Sequence, residues 1–223
     1  MAQSSSSTPS TAAADKPRKP LKQERAWNTR RAILDAAARV FAEKGFAGMT
    51  LQDVAERAEL TKGALYFHFS NKESLAVEIV TTYAARWEPL IEEVKRLELS
   101  PMRTLVEILD RTAEAFRTEV PIQAAARLQI ERSLINADVP APYVGWINAM
   151  TALTRQAKEA GELREGLEPE AAANVIVAAF FGMQHVSDVR TGRADQRERY
   201  TELRDVLLRG ICDRAETDTD AES

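Results

Sequence analysis

The chain has 223 residues, 44% of them apolar and only 6% aromatic, with a formal net charge of −4. That length supports one sizeable core plus a small second module, and the Ala/Leu/Glu/Arg-rich composition favours helices over strands. A single cysteine (Cys212) and two histidines (His68 and His185) exclude an internal disulfide and a Cys/His metal centre. The most apolar stretch, residues 171–183, includes Asn174 and falls short of the ~20 residues a membrane helix needs. The Ser/Thr/Ala-rich beginning lacks the apolar core of a secretory signal. A cytoplasmic protein with no cofactor and no metal is expected.

Charge is unevenly spread. Residues 16–72 carry twelve Lys/Arg against six Asp/Glu, and the chain beyond 72 is net acidic. A polyanion-binding module on an acidic body has this profile, although solvated charges placed by chance produce it as well. Residues 1–27 read as a disordered, partly basic arm. A first helix is expected from Asn28 or Thr29, with Ile33, Ala37, Val40 and Phe41 on its inner stripe and Gly45 as its stop. Thr50, with Asp53 three residues on, caps a second helix that buries Leu51, Val54, Ala55 and Ala58. Thr61 caps a third helix running to about Phe67, and Ser70 with Glu73 opens a long fourth. The second and third are too short to stand alone and must pack on the first through Phe41, Phe46, Val54 and Leu65. Such a unit, here residues 28–72, is a helix-turn-helix.

The remainder, residues 73–215, also reads as helix. Leu75, Ile79 and Tyr83 mark the long fourth helix, which Pro89 kinks or ends. Ser100-Pro101 starts another, to about Thr118. Pro121 opens the next, to about Asn136, and Pro140 and Pro142 bracket a loop. Helices over 143–160, 169–190 and 196–214 follow, separated by Gly161 and Gly192, and residues 216–223 form an acidic disordered tail. No strand-type alternation occurs. The expected fold is all-α, with about nine helices.

The third helix has the chemistry of a groove reader. Gly63 and Ala64 leave room for a groove wall in its first turn, and Thr61 can both cap the helix and reach a phosphate. Lys62 and Tyr66 share one face, four residues apart. Thr50 and Gln52 can anchor adjacent phosphates at the start of the second helix, and His68 and Lys72 flank the exit. Arg30, like Arg31, is either a phosphate contact or part of a solvated face. Leu65 and Phe69 belong to the core. Phe67 either joins them or rests on a thymine methyl group. The arm KPRKPLKQER is either a minor-groove arm or a solvated tail.

The segment TRRAILDAAARVFAEKGFAGMTLQDVAERAELTKGALYFHFSNK, residues 29–72, resembles the DNA-binding domain of tetracycline-repressor-like (TetR) regulators. The pieces FAEKGF, TLQDVAERA and TKGALYFHFSNKESL are specific in combination. The resemblance implies about nine helices, a homodimer through the last two (about 169–190 and 196–214), operator DNA as partner and a small-molecule effector in a C-terminal cavity. The variant KGALYFHF, with an acid-Ser-Leu-Ala stretch (Glu73 to Ala76) after it, and Trp146 in PYVGWINAM look most like the branch that answers to γ-butyrolactone, butenolide or furan signals. The segment 123–134 resembles the one that brings polar side chains into that branch's cavity.

Such a ligand needs an apolar pocket with a few orienting polar groups. Gln129, Tyr143, Tyr83 and Asp110 are the polar candidates, and Trp146, Leu109 and Phe180 the wall candidates. The function expected is a repressor of antibiotic or other secondary-metabolite genes, released when ligand shifts the long helix after Ser70. The alternative is a pseudo-receptor or multidrug-type sensor that answers to an antibiotic. No catalytic residues are expected: phosphate loop and nucleophile elbow are both missing, and Glu92-Glu93 lies on a polar helix face.

Overall fold

The computed structural model describes residues 22–212. Among these residues the chain forms ten α-helices and one 3-10 turn: α1 (Lys22–Gly48), α2 (Leu51–Arg57), α3 (Lys62–His68), α4 (Lys72–Ala84), α5 (Trp87–Lys95), α6 (Pro101–Thr118), α7 (Val120–Ile130), the turn Arg132–Leu134, α8 (Val144–Glu159), α9 (Pro169–Thr191) and α10 (Gln196–Ile211). No helix among them is long and apolar enough to cross a membrane. Most of the basic arm and the whole acidic tail lie outside the described residues.

Helix α1 begins six residues before Asn28, so residues 22–27 are helical where the arm was expected to be disordered. The cause is composition: Lys, Gln, Glu, Arg and Ala are strong helix formers. Thr29 is no cap; its hydroxyl donates to the Arg25 carbonyl within the helix, at 2.9 Å. The regular part of α1 stops at Gly45, whose φ of 69° and ψ of −179° lie in a region open essentially to glycine alone.

Two further boundaries move. The cap of α4 is Asn71 rather than Ser70, since the Asn71 carboxamide accepts the Ser74 amide at 2.7 Å. The long fourth helix breaks at Ala85–Arg86, four residues ahead of Pro89, and this break supplies the tenth helix. Pro89 sits in the first turn of α5, where its ring would clash with the carbonyl four residues back if the helix were continuous. Helix α7 ends at Ile130, before the expected Asn136, and tightens into the 3-10 turn. There Arg132 donates to the Val139 carbonyl at 2.8 Å. Helix α10 ends at Ile211, after which Cys212 pairs with Leu163 in a single antiparallel bridge.

Two cores result. One lies among α5, α6, α8, α9 and α10, around Leu105, Ile108, Phe116, Met150, Ile176 and Phe180. The other holds Ile33, Val40, Phe41, Phe46, Val54, Leu65, Phe69, Leu75 and Ile79, and extends to Ala124 and Leu128 of α7 and on to Val139. The N-terminal core therefore does not close at residue 72. Helix α7 belongs to it, and this shared helix joins the two halves of the molecule.

Candidate DNA-binding surface and ligand cavity

The helix-turn-helix is held by short-range chemistry. Thr50 and Asp53 form a reciprocal capping box: the Thr50 hydroxyl accepts the Asp53 amide at 3.2 Å, and the Asp53 carboxylate accepts the Thr50 amide at 2.9 Å. The same carboxylate takes a bond from Lys44 at 2.8 Å, which ties α2 to the end of α1. These donors hold the Asp53 carboxyl down at about 2, with the Lys44 ammonium as the largest cause. Arg57 grips Glu43 with both guanidinium nitrogens. Thr61 caps α3 by accepting the Ala64 amide at 3.2 Å.

Leu65 and Phe69 point into the core, which turns the opposite face of α3 outward. Lys62, Gly63, Tyr66 and Phe67 are exposed there; Phe67 is 82% accessible and so is no core residue. Its ring meets His68 edge-on at 5.2 Å. Thr50, Gln52, Lys62, Tyr66 and Lys72 surround one surface hollow of about 390 Å³ between the starts of α2, α3 and α4. Besides the capping bonds of Thr50 and Thr61, three more of the expected contacts have internal partners. Gln52 bonds Glu56. Lys72 donates to the Phe46 carbonyl at 3.3 Å and lies over the Phe46 ring. Arg30 pairs with Glu78 at 2.8 Å and covers the Phe69 ring, bracing α1 against α4.

In the body, α4, α5, α6, α7, α8, α9 and the 140–143 loop enclose a cavity of about 480 Å³. Its walls are aromatic: Trp87, Phe116, Trp146, Tyr143 and Phe181, with Phe181 lying 4.5 Å from Tyr143 and 5.9 Å from Trp146 between ring centroids. Tyr83, Gln129 and the α5 charges Glu88, Glu92 and Lys95 supply polarity. Burial pushes the Tyr83 and Tyr143 hydroxyls up from their ordinary range, so both stay protonated and can donate. The Gln129 amide nitrogen donates to the Pro140 carbonyl at 3.2 Å, and its buried carbonyl oxygen has no protein partner.

Four of the seven expected cavity residues, Tyr83, Gln129, Tyr143 and Trp146, thus meet at one cavity. Leu109, Asp110 and Phe180 do not line it. Leu109 turns toward Ile176 and Leu207 on the far side of α6. The Asp110 carboxylate is spent on α10, accepting from the Tyr200 hydroxyl and from Arg204 at 3.2 Å. Phe180 faces the core against Phe116 and Tyr200, while its neighbour Phe181 enters the cavity. Adjacent helical residues lie about 100° apart, so an error of one position changes the face. Trp87, Phe116 and Phe181 went unforeseen, because an apolar stripe does not distinguish a cavity wall from filled core.

An exposed α3 on a capped helix-turn-helix, joined through α7 to a body with an aromatic cavity, defines a small-molecule-responsive DNA-binding regulator. Residues 33–79 match the pattern of bacterial regulatory proteins, tetR family. The A-factor receptor protein of Streptomyces griseus is 37% identical over 86% of this chain, an alignment that spans 66% of the relative's own length. A solved structure described as the molecular basis for control of antibiotic production by bacterial hormones is 48% identical, with a TM-score of 0.77, over 83% of this chain and 98% of that one. A γ-butyrolactone receptor structure is 25% identical, with a TM-score of 0.75, over 86% of this chain and 92% of the other. The chain belongs to the tetR family; it is a regulator and not an enzyme.

Proposed function

We propose that this chain is a ligand-responsive transcriptional repressor of the autoregulator-receptor branch, released from DNA by a γ-butyrolactone, butenolide or furan signal. The observation that carries the reading is the aromatic cavity, lined also by Gln129 and by two protonated tyrosines, Tyr83 and Tyr143. Such a site suits a small amphiphile with an apolar tail, its ring oxygens accepting from the Tyr83 and Tyr143 hydroxyls. Thr50, Gln52, Thr61, Lys62, Gly63, Ala64, Tyr66, His68 and Lys72 form the operator contact in this reading, with Arg30 bracing α1 against α4. The protein works in the cytoplasm as a homodimer through α9 and α10. Supporting that interface, Val175, Val186 and Val189 of α9 and Val206 of α10 are large apolar side chains left exposed in the single chain. The dimer would set two α3 helices about 34 Å apart on a near-palindromic operator.

The test is titration of an operator duplex, selected from random sequence by the protein itself, with and without each signal class. Ligand binding seen by calorimetry should weaken operator binding at least about tenfold. A ligand that binds the cavity and leaves operator affinity unchanged rejects the switch.

A further inference from the structure

Helix α7 presents two faces to two different parts of the molecule. Ile122, Ala125, Ala126 and Gln129 line the cavity. Ala124 and Leu128, both fully buried, belong to the core of the DNA-binding unit. Each stripe follows helical spacing, and the second is displaced from the first by two residues, or about 200° around the axis. Arg127 and Glu131 complete the second stripe. Arg127 Nη1 donates to the Ala42 carbonyl at 2.8 Å, and its Nε donates to Glu131 at 2.9 Å. The other Glu131 oxygen accepts the Phe46 amide at 2.5 Å. Ala42 lies in the last turn of α1 before the Gly45 kink, and Phe46 carries the first amide after it. Arg127 of α7 and Glu131, the residue that caps its C-terminus, therefore hold the end of α1, on the side of the helix opposite the cavity.

An eleven-residue helix with both faces packed moves as a body, so displacement of its cavity face displaces its caps. We propose that Arg127 and Glu131 are positioning residues that carry cavity occupancy to the DNA-binding unit through the end of α1, alongside the path through α4. The proposal rests on the cavity being the effector site, and its test is made independent of any ligand.

Ala126→Trp fills the cavity from the α7 wall and imitates occupancy. Operator affinity would be measured for the full-length wild type, for Ala126→Trp, for the clamp variant Arg127→Ala/Glu131→Ala, and for the combination. Far-UV circular dichroism and melting would check folding, with Ala126→Leu and the milder Glu131→Gln as substitutes for any protein that unfolds. Ala126→Trp should weaken operator binding about tenfold with the clamp intact and less than about twofold without it. Faster hydrogen exchange at the Phe46 amide should accompany the loss. Equal losses in both backgrounds, or no loss in either, overturn the coupling role. A parallel titration uses a hydroxylated γ-butyrolactone with an alkyl chain. Its failure to bind would count against the proposed ligand class and leave the four-protein comparison standing.

Discussion

Gly45 occupies a backbone conformation that side-chain-bearing residues avoid, and a β-carbon there would lie 2.6 Å from one Glu131 oxygen and 2.8 Å from an Arg127 nitrogen. Gly45→Ala therefore incurs backbone strain and dislodges the α1 clamp together. It should lower unfolding free energy by about 1–3 kcal/mol in a denaturant titration, and an unchanged midpoint would contradict this account. On α3, the buried and exposed faces separate stability from binding. Leu65→Ala should cost about 2–5 kcal/mol of stability. Lys62→Ala should leave the melting temperature in place, weaken operator binding and reduce its salt dependence by about one counterion. If Lys62→Ala melts early instead, the residue is structural and its place in the contact surface is lost.

At the scale of the element, α2 rests on a titratable cap. The Asp53 carboxyl is held at about 2, below its ordinary 3.8, so its stabilising contribution is present in full above about pH 4 and disappears as pH falls toward 2. The melting temperature of Asp53→Asn should lie below wild type at neutral pH, and the gap should close across that acid window. A gap that persists at pH 2 would mean the side chain acts by shape rather than charge. The caps Thr50 and Thr61, the Gly45 stop and the Ser100-Pro101 start were legible because each is a local signal. The early start of α1, the Asn71 cap and the break ahead of Pro89 depended on competition between adjacent residues, which periodicity does not resolve. For the same reason periodicity does not separate Phe180 from Phe181, and the group that occupies Asp110, Tyr200, lies ninety residues away in the chain.

For the molecule as a whole, the all-α class was legible in the sequence. The sharing of α7 between the two cores was not legible, because Ala124, Leu128 and the Arg127–Glu131 pair act only through contacts some eighty residues distant. Assembly can be tested on the α9 face. Gly182 is exposed and a β-carbon placed on it meets nothing within 4 Å inside the protomer, so Gly182→Arg should fold normally by circular dichroism. It should nevertheless sediment as a monomer and lose at least about tenfold in operator affinity, since one reading head alone makes half the contacts. A Gly182→Arg protein that still sediments as a dimer would move the interface away from α9.

The three tryptophans happen to divide between two places. Trp87 and Trp146 stand in the cavity wall with their rings 5.3 Å apart, whereas Trp27, 59% exposed, lies on the first turns of α1 beside Arg31. The protein thus carries two intrinsic fluorophore sets, one in the cavity wall and one at the start of α1. In a Trp27→Phe protein the remaining emission would report the cavity alone, and in Trp87→Phe/Trp146→Phe it would report the start of α1. Following both through a single mixing experiment would show the order in which the two places respond, without attaching any dye.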